Sequence, residues 1–179
     1  ITENQLSDII DNNDVKEPLE VLEEDIVSFI EVQKLLDDLG LGINVPIDYV
    51  KSSPYLMSFM KNYKLKRRIE SYFKRNSQEI YKMNKDTFWL NERDIANYNV
   101  ISYNNARLID LMKHVLKDNA DKLLWIPPSK PYYPLEGAFK DTHNFSKTLI
   151  FSSWEMVPRM ISSLVSYEVE RKTIGKLNR

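Results

Sequence analysis

Apolar positions recur at three- and four-residue steps along most of this chain, a pattern that predicts helices far more often than strands. The first such run is Leu19, Leu22, Ile26, Phe29 and Leu36, interrupted by Gln33 and extending from near Pro18 to Gly40. It predicts one long amphipathic helix with proline at its entry and glycine at its exit. Residues 41–53 carry Gly42, Pro46 and the Ser52-Ser53 pair and read as a loop with a short extended piece around 47–50. A further helix is expected to open at Pro54, with Tyr55, Phe59 and Met60 on one side. Asn91 has the chemistry to cap a short helix reaching Tyr98. Asn104 or Asn105 opens a clearer one, with Leu108, Leu111, Met112, Val115 and Leu116 on one face and an end near 118–121.

Two apolar runs break the helical rhythm. Leu123–Ile126 is stopped by Pro127-Pro128 and predicts a short strand. Thr148, Leu149, Ile150 and Phe151 predict a second strand, of the type buried on both faces. Ser152 and Ser153 stop it, and Ser152 with Glu155 has capping-box spacing. The helix beyond shows Trp154, Val157, Met160, Ile161, Leu164 and Val165 on one face, with Pro158 near enough to the start to cost little. Strand, serine turn and helix make half of a βαβ unit, and no parallel strand follows before Arg179. The expected fold is mainly α with a small β component, one or two short strands. Its parts are a helical arm over 1–40, a helical region over 41–102, and an α/β start over 103–179 interrupted by a proline-aromatic loop at 127–146.

Charge changes this picture. A net charge of −1 conceals twelve acidic side chains in residues 1–40 against Lys16 and Lys34 alone. From Lys51 to Lys85 the sign reverses: Lys51, Lys61, Lys64, Lys66, Arg67, Arg68, Lys74, Arg75, Lys82 and Lys85 face only Glu70 and Glu79. Tyr55, Phe59, Tyr63, Tyr72, Phe73 and Tyr81 interleave with these cations. One reading is a groove for a nucleic-acid backbone, cations on phosphates and aromatics free to stack. The other is a core helix whose basic solvated face docks on the acidic arm. The acidic helix likewise reads as a helix packed on the domain with a solvated back, or as a seam for a protein partner.

At 179 residues and 42% hydrophobic content the chain can bury an ordinary core. No apolar run approaches the length that spans a bilayer, and the acidic first thirty residues lack a signal peptide's basic start, so no membrane role is expected. The absence of cysteine rules out disulfides and thiolate metal sites and fits a cytoplasmic, reducing environment. The start at Ile1 reads as an excerpt from a longer protein. None of the four glycines falls in a phosphate-cradling GxxxxGK[ST] or GxGxxG motif. His114 and His143 lack partners at ligand spacing, and the carboxylates of the arm sit on solvated turns. No catalytic residue, no metal ligand and no self-contained active site is expected.

The segment from Asn105 to Gly175 resembles the entry into the second RecA-like lobe of superfamily 2 helicases and DNA translocases, in the branch that includes chromatin remodellers. NARLIDLMKHVL, Asn105 to Leu116, stands where that family has a helix. KTLIFSSW, Lys147 to Trp154, resembles its motif IV strand and serine turn. SSPYLMSFM, Ser52 to Met60, is similar to the segment that follows the first lobe. WIPPSKPYYPLEG, Trp125 to Gly137, departs by inserting a proline-aromatic loop before motif IV. The resemblance implies a partial RecA-like α/β unit with a helical insertion, belonging to an ATP-dependent parent. ATP and Mg would be held by the parent outside these residues, and this part alone would hydrolyse nothing. The resemblance also implies that Ser152, Ser153 and the helix amides beyond them contact nucleic-acid phosphates, with DNA as the expected polymer, while Phe151 and Trp154 pack. To these the basic region adds Lys64, Arg67, Arg68 and Arg75 as backbone contacts. The alternative from a different class is a helical protein–protein interaction module acting through the acidic helix.

Overall fold

Glycine sets the end of the first helix. Helix α1, Glu23–Asp38, stops where Gly40 takes a φ of +66°, a conformation without penalty only for a residue lacking Cβ. The Gly40 N–H then donates to Asp37 O and the Leu41 N–H to Leu36 O, both at 2.9 Å, the paired bonds that close a Schellman motif. At the other end the Leu22 N–H donates to Asp25 Oδ2 at 2.9 Å. The computed structural model describes residues 20–41, 46–78, 84–117, 120–124, 136–137, 140 and 148–175. Leu19, Tyr81, Lys82, Trp125, Ile126, His143, Lys147 and most of the 127–146 loop lie outside them, as do residues 1–19 of the acidic arm.

The buried face of α1 is Ser28, Val32, Leu35 and Leu36, rotated from the expected stripe. At about 100° per residue Ile26 stands opposite Leu35, so a helix that buries Leu35 must expose Ile26. Helix α2, Pro46–Ser52, packs against α1 and replaces the expected loop and extended piece over 47–50. Proline at the first helical position, with φ already set and no amide to lose, explains the difference. A single turn, α3 (Leu56–Phe59), follows, and Tyr55, Leu56, Met57, Phe59 and Met60 are all buried. Helix α4, Lys64–Arg75, buries Leu65, Ile69 and Phe73 at four-residue steps.

Short helices α5 (Lys85–Phe88) and α6 (Glu92–Ala96) are each capped by asparagine. Asn84 Oδ1 accepts from the Asp86 N–H at 3.2 Å, and Asn91 Oδ1 from the Arg93 N–H at 3.0 Å, the latter as the sequence predicts. Helix α7, Ala106–Val115, opens at Asn105 and buries Leu108 and Met112. Helix α8, Met156–Thr173, runs through the core with Met156, Met160, Leu164, Val165, Tyr167 and Val169 buried, and packs on α3. At its far end Gly175 lies against Tyr98, where an added Cβ would come within 2.9 Å of the Tyr98 Cβ.

The mainly α class holds, and among the described residues there is no strand. Leu123 belongs to a 3-10 turn, Ala120–Leu123, in which Ala120 and Leu123 are buried and the turn packs on α8. Among the described residues, 148–151 belong to no strand, and Leu149 is 80% and Phe151 78% exposed, so the predicted buried strand and the packing role of Phe151 are both corrected. Their β-favouring side chains count for little without a neighbouring strand to take up the backbone bonds. The Ser152–Glu155 capping box does not form either. Ser152 Oγ accepts from the Trp154 N–H at 3.1 Å, a local turn that competes with capping, and α8 begins after Glu155.

Candidate functional site

Helix α4 is strongly two-faced. With Leu65, Ile69 and Phe73 turned inward, the opposite arc of about 120°, at about 100° per residue, carries Lys64, Arg67, Arg68, Ser71, Lys74 and Arg75 and no acid. All six are exposed, and among the described residues none of the five cations forms an ion pair. The alternative in which this face docks on the acidic helix is therefore not seen in the described part of α1.

An open groove of about 460 Å³ continues the basic surface past the start of α4. Lys61, Lys66, Arg67 and Arg159 line it, with Glu70 as the one acid. Two of these cations are fixed by the backbone. Lys66 Nζ donates to Met57 O at 2.9 Å, and Arg159 Nη1 to Phe59 O at 3.3 Å, so both satisfy carbonyls of the α3 turn. Arg159 Nη2 also reaches Glu155 Oε1 at 3.3 Å. Asn62 sustains the bend between α3 and α4 with a φ of +65°, which asparagine tolerates better than most residues.

Tyr63 ties this surface to α8. Its hydroxyl accepts the Met156 N–H at 3.3 Å, filling one of the first helical amides, and its ring stacks on Trp154 with centroids 6.4 Å apart and planes 3° from parallel. Tyr49 meets the same indole edge-on at 5.0 Å. Burial, with Tyr63 nearby, raises the Tyr49 hydroxyl above its ordinary pKa. Trp154 packs as expected. The exposed Ser152 and Ser153 directly precede the indole stacked on Tyr63, the residue before Lys64, while Arg75 lies at the other end of α4, roughly 16 Å along the axis at about 1.5 Å per residue. Of the aromatics expected to stack on bases, Tyr55, Phe59 and Phe73 are core residues, and Tyr63 and Tyr72 are half-buried against Trp154 and Phe73.

A second polar cluster had no sequence signal. Glu168, buried on α8, accepts from Arg171 Nε and Nη2, each at 2.8 Å, and from the Tyr103 hydroxyl at 3.1 Å, with Lys172 Nζ at 3.5 Å. Burial pushes its carboxyl up, but the Arg171 bonds and charge, Lys172 and Tyr103 outweigh this and hold it below its ordinary pKa. Burial and the Glu168 carboxylate together push Tyr103 well above its own. A carboxylate so fully supplied with donors locks α8 to the 101–105 segment rather than offering a base. His114 is exposed on α7, with Nδ1 3.0 Å from Asp110 O. Among the described residues no group of three or more His, Cys, Asp or Glu side chains is placed to hold a metal ion, and no helix is long and apolar enough to cross a membrane.

The position of Arg159 in the groove escaped sequence reasoning, because its partner Phe59 lies 100 residues away. No family model, no curated protein and no solved structure matches the chain.

Proposed function

We propose that this chain binds nucleic acid along its phosphate backbone, without sequence preference, as the helical inter-lobe part of an ATP-dependent helicase or translocase working in the cytoplasm. The observation that carries the binding reading is the exposed arc of α4, five cations with no ion-pair partner among the described residues, continued by the groove of Lys61, Lys66, Arg67 and Arg159. One or two cations per helical turn of about 5.4 Å suits a polymer with a charge about every 3.4 Å along each strand. Ser152 and Ser153, exposed and directly before the indole stacked on Tyr63, extend the same track as hydroxyl donors.

The motor reading rests on the resemblance of Asn105–Gly175. The segment at 148–151, with β-favouring apolar side chains exposed, suits pairing with a strand contributed from elsewhere in a parent protein. ATP and Mg do not fit the residues described here. Gly40 closes a helix and Gly175 packs on Tyr98, so neither cradles a phosphate, and this reading assigns ATP and Mg to the parent.

Fluorescence anisotropy with labelled single- and double-stranded DNA and RNA, titrated at several salt concentrations, tests the binding. Five phosphate contacts on duplex DNA give a slope of log affinity against log salt of about −4.5. Replacing Lys64, Arg67, Arg68 and Arg75 together by glutamine should flatten that slope and abolish most binding. Unchanged affinity in the quadruple variant would remove α4 as the binding surface. Separately, the motor reading requires a Walker A lysine upstream and an arginine-finger motif downstream in the parent coding sequence.

A further inference from the structure

The outer face of α1 carries an apolar stripe that is exposed among the described residues. Ile26 is 54%, Val27 41% and Ile30 43% exposed, and the three lie within about 100° of one another on the arc opposite the buried Val32 and Leu35. Glu23, Glu24, Asp37 and Asp38 flank them, all exposed and none in an ion pair among the described residues. The one cation of the helix, Lys34, is engaged with Glu31 at 3.6 Å. Asp25, the remaining acid, faces inward to its capping bonds.

We infer that this face docks a basic amphipathic helix of another protein, one presenting apolar side chains at three- and four-residue steps with lysine or arginine beside them. Charge selects the occupant. A second copy placed α1 to α1 would set acid against acid. The chain's own basic helix, α4, cannot serve from another copy, because Leu65, Ile69 and Phe73 are committed to its core and only charge faces outward. The occupant that fits both features is a foreign helix whose apolar residues cover Ile26, Val27 and Ile30 while its cations meet the acidic rim, a helix-on-helix mode of peptide recognition. The surface is on a different element from the basic arc of α4, so the two could be occupied together.

The probe is a fluorescein-labelled peptide of leucine and lysine, about five helical turns long, with leucines at helical spacing. Its controls are a scrambled peptide of the same composition and a leucine–glutamate counterpart, all titrated against the full chain by anisotropy. The leucine–lysine helix should bind, the leucine–glutamate helix should not, and Ile26→Ser with Ile30→Ser should weaken binding about tenfold or more, as truncation of central anchors does. Glu23→Gln with Asp37→Asn, which leaves every apolar contact in place, should weaken binding and flatten its salt dependence. It tests the proposal even if the serine variant loses helicity. Equal binding of the scrambled peptide, or indifference to both variants, would overturn the proposal. So would sedimentation showing that the wild-type chain dimerises through this face and that the serine variant does not.

Discussion

Asp25 and Asn105 cap the same helix from two sides. Asp25 Oδ1 accepts the Ala106 N–H at 2.9 Å while its Oδ2 accepts from Leu22, so one carboxylate starts both α1 and α7. Asn105 Oδ1 accepts the Leu108 N–H at 2.9 Å, and its Nδ2 donates to Val50 O at 2.9 Å and Lys51 O at 3.3 Å, at the end of α2. Helix α7 is thereby joined at one polar point to α1 and α2, which lie 81 and 55 residues before it at these bonds.

Asn105→Ala removes a buried cap and leaves the α2 carbonyls without that donor. It should lower unfolding free energy by about 2 kcal/mol, and Asp25→Ala by about 1 kcal/mol. Because both act on the start of α7, the double variant should cost less than the sum, which urea titration of all four proteins would show.

Gly175→Ala puts a methyl group 2.7 Å from Arg171 O and 2.9 Å from the Tyr98 Cβ, and both are close to the backbone, so neither can turn aside. A loss of about 1–3 kcal/mol is expected, measured by thermal or urea unfolding. Restored stability in Gly175→Ala combined with Tyr98→Gly would identify the tyrosine as the obstacle.

The exposed segment makes an opposite prediction. Leu149→Ser with Phe151→Ser should change stability by no more than about 0.5 kcal/mol, because both side chains already face solvent. Leu164→Ala in the middle of α8 should cost about 2–5 kcal/mol. A large loss in the serine variant would mean that the segment is buried as a strand after all.

Stability should depend on pH at both extremes. Glu168 is held below its ordinary pKa, so its contribution is present above the usual carboxylate range and disappears as the pH falls through the depressed value. Tyr55 donates its hydroxyl to Ser102 O and is pushed up to about 12 by burial, with the charges of Asp86 and Asp94 adding to it. Its contribution is complete below pH 10 and is lost as the pH rises from there towards 12. Urea midpoints against pH should therefore fall at both ends, with Glu168→Gln flattening the acid limb and Tyr55→Phe the alkaline one.

Local signals were legible in the sequence. Gly40, Asn91 and Asn105 each end or begin a helix where the pattern put them, since a cap is decided by a few neighbouring residues. The interleaved tyrosines divided as packing demands, with Tyr55 in the core and the cations of α4 outside. What depended on distant partners was not legible. Leu149 and Phe151 have strand chemistry without a strand beside them, and Glu168 shows its role only once Tyr103 and Arg171 converge on it. The outer stripe of α1 was hidden because Ile26 belongs to the same numerical pattern as Leu22 and Leu36, and only the packing of Leu35 decides which way it turns.

The groove is also a matter of timing. Lys61, Lys66 and Arg67 line it early in the chain, but Arg159, bonded to Phe59 100 residues before it, completes the lining, and Tyr63 is bonded to Met156. At roughly 5–20 residues per second of synthesis, the basic helix leaves the ribosome several seconds before the helix that completes its setting. Until then the core cluster that holds Leu65, Ile69 and Phe73 lacks Met156, Met160, Leu164 and Val165, and the cationic side is displayed beside the ribosome's own RNA. A version truncated before Met156 should therefore aggregate rather than bind.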